Sequence, residues 1–200
     1  MFDGLRVLHR YADLVAEWHD GLTALDRQAG DGDFGDNLRE GLTLALVELD
    51  KPHSEQLNDF QIAAEVFLDH VGGTSGPLFG LLFRGIGSHA DLAEGVAEGL
   101  AAIQRVGEAK VGDRTLVDAL APAADALAGG KSHVEAAEAA IAGAAATATQ
   151  RPRMGRASYV GERAYGHADA GAVGVAMLFV ALCGDDAAAA GLSLDDLLPS

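Results

Sequence analysis

Apolar residues recur every three or four positions along most of this chain, and that spacing permits few folds other than packed helices. The first series comprises Leu5, Leu8, Tyr11, Val15, Trp18 and Leu22. Side chains at this spacing share one face of an α-helix, so the series predicts a helix over about 2–25. Similar series predict further helices at about 36–49, 59–70, 76–87, 91–105, 115–127, 132–150 and 171–182.

Strands are not expected, because β-branched residues are few and no alternation of apolar and polar residues persists over five positions. A chain of 200 residues has the length of one ordinary domain. We therefore predict an all-α fold of about eight helices in a single domain spanning 1–200. The predicted helix at 76–87 is apolar on nearly every side, which predicts burial all round.

The charge balance narrows the possible ligands. The chain has 14 basic and 30 acidic residues, which gives a formal net charge of −16. Such a field repels nucleic acid and anionic membrane surfaces, so a non-specific binder of polyanions is excluded. An anionic ligand would have to be held through recruited cations or through a few well-placed donors.

The chain's only cysteine, Cys183, cannot form an internal disulfide, and it lies in an apolar run that predicts a buried, inert thiol. The amino terminus lacks the pattern of a signal peptide, and the longest weakly polar run is shorter than the roughly 20 residues of a membrane span. These features predict a cytoplasmic protein.

Glycine-rich polar segments at 26–35, 72–76, 107–113 and 151–171 separate the predicted helices. The first holds three carboxylates within eight residues, those of Asp26, Asp31 and Asp33. Two such charges about 4 Å apart repel by roughly 4 kcal/mol at an effective dielectric near 20, so a folded pocket would need cations to hold them. Oxygen ligands without His or Cys favour Mg²⁺ or Ca²⁺, and a solvated acidic turn is the alternative.

Two familiar motifs do not explain this segment. Gly30, Gly32 and Gly35 fit the dinucleotide pattern G-x-G-x-x-G, but no strand precedes them. An EF-hand loop starting at Asp31 would have Asp36 in place of its required glycine and Leu42 in place of its last glutamate. A Mg²⁺ site with few carboxylates, completed by water and phosphate oxygens, remains.

Two predicted helix starts can receive an anion. Asp36 and Asn37 open one helix, and Gly72-Gly73-Thr74-Ser75-Gly76 precedes another. Free N–H groups and the helix dipole favour phosphate at such places, although ordinary capping by Thr74 or Ser75 is the alternative. Four arginines between positions 151 and 163 could also contact phosphate, or could be solvated or paired with Glu162.

Together these segments resemble the DhaL family, the nucleotide-binding subunits of dihydroxyacetone kinases. The resemblance covers essentially the whole chain in order and spacing. The matching stretches are Leu25-Asp26 through Gly35 with Asn37, Gly72-Gly73-Thr74-Ser75-Gly76-Pro77-Leu78-Phe79-Gly80, Gly112-Asp113-Arg114-Thr115, Gly155-Arg156-Ala157-Ser158-Tyr159 through Gly161-Glu162-Arg163, and Gly166-His167 with Asp169 and Gly171.

The resemblance implies a barrel of eight antiparallel helices that binds ADP or ATP at one end. It implies two Mg²⁺ ions held by Asp26, Asp31 and Asp33, and a catalytic role in charge neutralisation for Arg156. The residues implied to line the phosphates are Phe34, Gly35, Asp36, Asn37, Thr74 and Ser75. Those implied to complete the nucleotide pocket are Gly107, Leu116, Arg156, Asp169, Ala170 and Gly171.

The resemblance also implies a reaction shared between subunits. A DhaK-like partner would hold the ketose as a covalent adduct, and a DhaM-like carrier would rephosphorylate bound ADP. A split kinase that exchanges free ATP and a nucleotide-sensing module without turnover are the alternatives. Three positions depart from the family pattern: Phe34 replaces a histidine, Ala170 replaces a proline, and Asp36 adds a charge beside the phosphates.

Overall fold

The structure is a computed structural model that describes residues 3–51, 57–155 and 157–198, with the main chain alone at 160, 162 and 163. Within those ranges it contains eleven α-helices, three short 3₁₀ segments and no strand, which confirms the all-α prediction. The helices are α1 Gly4–Glu17, α2 His19–Ala29, α3 Phe34–Leu49, α4 Asp59–His70, α5 Ser75–Ser88, α6 Leu92–Gly107, α7 Val117–Ala128, α8 His133–Ala146, α9 Ala157–Val160, α10 Ala170–Cys183 and α11 Asp185–Ala189; the 3₁₀ segments are Thr147–Thr149, Gly161–Ala164 and Asp195–Leu197.

Eight of these helices form a closed ring. In the order α1, α3, α4, α5, α6, α7, α8 and α10, each helix packs against the next, and α10 packs back against α1. The helix α2 continues from α1 and contacts α3 and α10. This arrangement is the eight-helix barrel that the resemblance implied.

The helix α10 is buried along nearly its whole length. Twelve of its fourteen residues are buried, and the hydroxyl of Tyr11 in α1 donates to its Gly174 carbonyl over 2.8 Å. A Cβ atom at Gly174 would lie 2.9 Å from Cζ of Phe34 and 3.1 Å from Cζ of Phe79. The absence of a side chain there therefore lets two aromatic rings approach the α10 main chain.

The prediction that the helix at 76–87 is buried on every side is wrong. In α5, Pro77, Arg84 and Ser88 are exposed, whereas Phe79 and Phe83 are buried. These exposed residues are few and lie between apolar ones in the sequence. The solvent-facing side of α5 is therefore too narrow to be recognised from the apolar pattern.

The predicted helix 2–25 is two helices, α1 and α2, divided at Trp18. Trp18 has φ −102° and ψ 14°, outside the helical region. Its N–H still donates to the Leu14 carbonyl over 3.0 Å, and its carbonyl accepts from Leu22 N–H over 3.0 Å. The apolar periodicity continues through the break, because it records which side is buried and not whether every residue is helical.

Other helix boundaries also differ from the predictions. The predicted helix 36–49 begins at Phe34, and the predicted helix 132–150 ends at Ala146 and continues as a 3₁₀ turn. The sequence did not predict α9 or α11, because helices of four and five residues are too short to show a 3.6-residue period.

The thiol of Cys183 is buried at 8% exposure. Burial, followed by the nearby charges of Asp186 and Glu138, raises its pKa to about 11. Since the thiolate is the reactive form, this environment agrees with the predicted inert thiol. No helix in the described part of the chain is both long and apolar enough to cross a membrane.

Glycines bring α5 and α6 into main-chain contact. A Cβ atom at Gly85 would lie 2.5 Å from the nitrogen of Gly99 and 2.6 Å from the carbonyl oxygen of Gly95. Main-chain atoms inside packed helices cannot move aside as a flexible side chain can, so the two helices depend on glycine at this crossing.

We therefore expect Gly85→Ala to lower the free energy of unfolding by about 1–3 kcal/mol, although alanine is the better helix former. Urea denaturation measures the change. The control is Gly107→Ala, because no atom lies within 4 Å of a Cβ atom there. Equal stability of Gly85→Ala and the wild type would contradict the proposed close crossing.

Candidate functional site

The loop between α2 and α3 is folded tightly around Asp26. The carboxylate of Asp26 accepts the N–H of Phe34 over 3.2 Å, and its carbonyl accepts the N–H of Gly30 over 2.5 Å. A Cβ atom at Gly30 would collide with the Asp26 carboxylate, and Gly32 has a φ of +83°. The glycines are therefore required both by space and by main-chain conformation.

The two aspartates of the loop itself, Asp31 and Asp33, are exposed. Asp33 is the N-cap residue of α3, but its side chain makes no capping hydrogen bond, so it could bind a cation without uncapping the helix. In the described residues, no three His, Cys, Asp or Glu side chains are close enough to hold one metal ion. Asp26, which lies in the last turn of α2 and not in the predicted loop, therefore does not converge on one point with Asp31 and Asp33.

This donor set nevertheless fits a hard divalent cation. All three side chains offer carboxylate oxygens, which Mg²⁺ prefers, and Mg²⁺ commonly takes only one or two of its ligands from protein. Water and phosphate oxygens would supply the remaining ligands. The role of Asp26, Asp31 and Asp33 as metal ligands stays a prediction.

The starts of α3 and α5 lie together through Asn37. Cβ atoms at Gly72 and Gly73 would lie 3.9 and 3.4 Å from the amide group of Asn37. Thr74, the N-cap residue of α5, is exposed and makes no capping bond, whereas the hydroxyl of buried Ser75 donates to the Gly72 carbonyl over 3.4 Å. Two helix starts with free N–H groups therefore adjoin, which favours an anion between them.

The side chain of Phe34 faces the core. Its ring centroid lies 6.1 Å from that of Phe79 in α5, and it is also in contact with α10 at Gly174. The ring therefore packs against the core, and the main-chain N–H of Phe34 is bonded to the Asp26 carboxylate; a role for Phe34 at the phosphates stays a prediction. Beside it, Gly35 packs the start of α3 closely against Thr23 and His19 of α2.

The carboxylate of Asp36 is neutralised by two neighbours. It accepts from His19 Nε2 over 2.8 Å and from an Arg39 guanidinium nitrogen over 2.7 Å. The hydrogen bond from His19 is the main cause that lowers the pKa of Asp36, and the charges of His19, Arg39 and Arg27 add to it. The guanidinium of Arg39 therefore offsets part of this extra charge.

The residues at the starts of α7 and α10 form a second side of the candidate site, here called the second wall. The first side consists of the α2–α3 loop and the starts of α3 and α5. A Cβ atom at Gly171 would lie 3.4 Å from the Cβ of Leu116 and 3.1 Å from the Asp169 carboxylate. Leu116 is buried as the residue before α7, and Ala170 is buried as the first residue of α10. The structure thus brings together Leu116, Asp169, Ala170 and Gly171, while Gly107 ends α6 beside open space.

The carboxylate of Asp169 caps α10 and accepts the N–H of Ala172 over 2.9 Å. Burial raises the pKa of Asp169 to about 6; the Ala172 hydrogen bond and the Arg114 charge oppose that shift, and the charges of Asp118 and Asp26 add to it. The helix α2, which carries Asp26, is in contact with α10.

The sequence reasoning did not single out Asp118 or assign a role to Arg114. Asp118, 3% exposed, accepts from the N–H of Gly112 over 2.6 Å and from that of Thr115 over 2.9 Å, which shapes the loop before α7. The spacing of Asp118 three residues after Thr115, typical of a side chain that returns to a helix start, could have indicated it.

The proposed catalytic residue Arg156 lies outside the described residues. Of its neighbours, Arg151 and Arg153 are exposed. Arg153 is 3.6 Å from the Asp113 carboxylate, and its N–H donates to the Asp113 carbonyl over 3.1 Å. The arginine-rich segment is therefore attached to the loop before α7.

Comparisons with known proteins show which proteins this chain resembles. The DAK2 domain model matches residues 28–184. The chain is 34% identical over 187 residues to PEP-dependent dihydroxyacetone kinase 1, ADP-binding subunit DhaL, of Listeria innocua, covering 89% of this chain and 93% of that protein. It is 34% identical over 183 residues to the PTS-dependent dihydroxyacetone kinase ADP-binding subunit DhaL of Lactococcus lactis, covering 88% and 92%.

A solved structure has the same fold. It is the dihydroxyacetone kinase from C. freundii in complex with AMP-PNP and Mg²⁺, with a TM-score of 0.72 and 30% identity over 91% of this chain. The present chain spans about a third (34%) of that longer one.

The raised pKa of Asp169 predicts a dependence of stability on pH. The folded state holds this proton up to about pH 6, whereas the unfolded chain releases it near the usual value of 3.8. The contribution of Asp169 to the free energy of unfolding, on the order of 2–3 kcal/mol, should therefore be fully present below about pH 4. It should be lost as the pH rises through 6.

Urea denaturation of the wild type and Asp169→Asn at pH 4.5 and pH 7 tests this prediction. The asparagine variant should lose less stability over that interval than the wild type. Asp125→Asn, which removes an exposed carboxylate of α7, is the control and should follow the wild type. Equal losses in all three proteins would show that Asp169 is not buried as described.

Proposed function

This chain belongs to the DAK2 domain family, and from that premise we propose that it is the Mg²⁺-dependent phosphoryl-transfer subunit of a dihydroxyacetone kinase. It would bind ADP or ATP and pass the γ-phosphate to dihydroxyacetone, or to a related short ketose, held covalently by a DhaK-like partner in the cytoplasm. The named relatives of similar length are ADP-binding subunits of such kinases.

The observation that carries the proposal is the meeting of α3 and α5 at Asn37. Their adjoining N-terminal turns offer main-chain N–H groups to phosphate, and the loop at 30–33, here called the aspartate loop because it carries Asp31 and Asp33, lies immediately before α3. A strongly acidic chain that binds a nucleotide needs such donors together with cations. The donors lie at this end of the barrel, beside carboxylates that would bind the cations.

Each wall of the site has its own task in this proposal. Asp26, Asp31 and Asp33 would hold two Mg²⁺ ions, which supply the positive charge that offsets the nucleotide phosphates. The N–H groups at the starts of α3 and α5, with Asn37, Thr74 and Ser75, would orient those phosphates. Leu116 and the Asp169–Gly171 turn would bound the rest of the nucleotide, with Gly107 at the end of α6 completing the pocket.

Catalysis in this chain would come from positioning and charge neutralisation, which dominate phosphoryl transfer. Arg156 is proposed to add positive charge as the phosphoryl group leaves. The sequence shows no arrangement of nucleophile and base with a mechanism behind it, which is consistent with activation of the ketose on the partner subunit.

The source of the phosphate separates two versions of the proposal. In the first, ADP stays bound and a DhaM-like carrier rephosphorylates it; this version is favoured because the Listeria and Lactococcus relatives are named PEP-dependent and PTS-dependent ADP-binding subunits. In the second, free ATP exchanges at the site, as the AMP-PNP complex of the C. freundii enzyme suggests. Retention of ADP through gel filtration favours the first, and rapid loss of ADP favours the second.

We expect Asp31→Asn to abolish Mg²⁺-dependent binding of ADP, because it removes a negative charge that the metal requires, while the helical fold remains. Calorimetric titration of ADP with and without Mg²⁺ measures binding, and circular dichroism measures the fold. The matched control is Asp50→Asn, an exposed aspartate at the far end of α3. Unchanged affinity of Asp31→Asn would remove that aspartate from the site.

Transfer itself is tested by mixing the chain with a DhaK-like subunit, dihydroxyacetone and either ATP or a phosphorylated DhaM-like carrier. We expect dihydroxyacetone phosphate to form with one of the two donors and not when this chain is omitted. Normal ADP binding without transfer in either mixture would favour the nucleotide-sensing module.

A further inference from the structure

Arg114 has an unusual combination of conformation and burial. It has a φ of +60°, a region that non-glycine residues adopt rarely, and its side chain is 1% exposed. A buried guanidinium is costly unless its donors are satisfied. Its position in the loop immediately before α7 therefore needs an explanation.

The guanidinium joins segments that are distant in the sequence. Its Nε donates to the carbonyl of Thr147 over 3.2 Å, and one Nη donates to the carbonyls of Ala164 and His167 over 2.8 and 2.9 Å. The other Nη is buried and has no hydrogen-bond partner in the described residues. One side chain thus fixes the main chain at three points that are 33 to 53 residues away.

Two of the residues bonded by Arg114, Thr147 and His167, are connected to Asp169 in the second wall of the site. Thr147 also accepts, through its hydroxyl, the N–H of Asp169 over 2.8 Å, and His167 is two residues before Asp169. The charge of Arg114 acts on Asp169 and opposes the effect of burial on the Asp169 carboxylate. Asp169 in turn caps α10 beside Gly171, where an added Cβ atom would touch Leu116.

We propose that Arg114 is a positioning residue of the nucleotide site, which holds the Asp169–Gly171 turn against Leu116 through the carbonyls of Thr147, Ala164 and His167. The inference rests on the proposed nucleotide binding. Arg114 itself does not touch the nucleotide; it acts through the main chain that forms one wall of the pocket.

The planar fork of arginine explains the residue type. Its donors point in several fixed directions at once, whereas a lysine ammonium is a compact charge on a flexible stem. Lysine could keep the positive charge near Asp169 but could not span the same three carbonyls. Methionine has a long unbranched side chain but removes both the charge and the donors.

Calorimetric titration of Mg²⁺ and ADP into the wild type, Arg114→Lys and Arg114→Met tests the proposal, at a temperature well below the Tm of each protein. We expect Arg114→Met to bind ADP at least tenfold more weakly, and Arg114→Lys to lie between it and the wild type. Partial rescue by lysine separates the charge from the hydrogen bonds and keeps a folded variant available if Arg114→Met is too unstable.

Ile62→Ala is the control for lost stability. Ile62 is buried one turn into α4, next to Asn58, whose amide donates to the Gly87 carbonyl over 2.6 Å near the end of α5. This is the end of the barrel opposite the Gly72–Ser75 loop. Ile62→Ala should lower the Tm and leave the affinity for ADP within twofold of the wild type.

Hydrogen exchange supplies a readout at the wall itself. The N–H of Gly166, bonded to the Ala148 carbonyl over 2.9 Å, and the N–H of Asp169 should exchange faster in Arg114→Met but not in Ile62→Ala. Binding by Arg114→Met within twofold of the wild type, or an equal loss in Ile62→Ala, would overturn the positioning role. Failure of the wild type to bind ADP would instead overturn the proposed function.

Discussion

The burial of α10 along nearly its whole length is the constraint on which the rest of the structure depends. Twelve buried residues pack this helix against its neighbours in the barrel. The aromatic rings of Phe34 and Phe79 lie close to its main chain at Gly174. A helix held so firmly has a fixed starting point. The packing of α10 therefore fixes the position of the Asp169–Gly171 turn, which lies at its start beside α7.

Electrostatics at this end of the barrel follow from an excess of carboxylates in a confined space. The carboxylates of buried Asp118 and half-buried Asp169 accept main-chain N–H groups, and the charge of Asp26 also contributes to the raised pKa of Asp169. The buried guanidinium of Arg114 offsets part of this charge from within the protein. Asp31 and Asp33 are exposed, and a cation bound from solvent would offset their charge.

The departures from the family pattern have local physical explanations. Phe34 adds an aromatic ring to the core instead of a polar group to the pocket, so the start of α3 is held by packing against α5 and α10. The carboxylate of Asp36 contacts the side chains of both His19 and Arg39. Ala170 is buried at the first turn of α10, where the cap by Asp169 is still made. None of the three removes the donors on which the proposed binding depends.

The sequence by itself determined the helical class, most helix positions and the segments that carry polar chemistry, because apolar periodicity and glycine-rich interruptions are local properties. It also indicated the family through the motifs around Asp26, Thr74 and Asp169. Only the tertiary structure revealed the break at Trp18, the inward ring of Phe34 and the buried contacts of Arg114 and Asp118. Those features depend on partners far away in the chain, and the burial and hydrogen bonding of a side chain are decided by what the fold places around it.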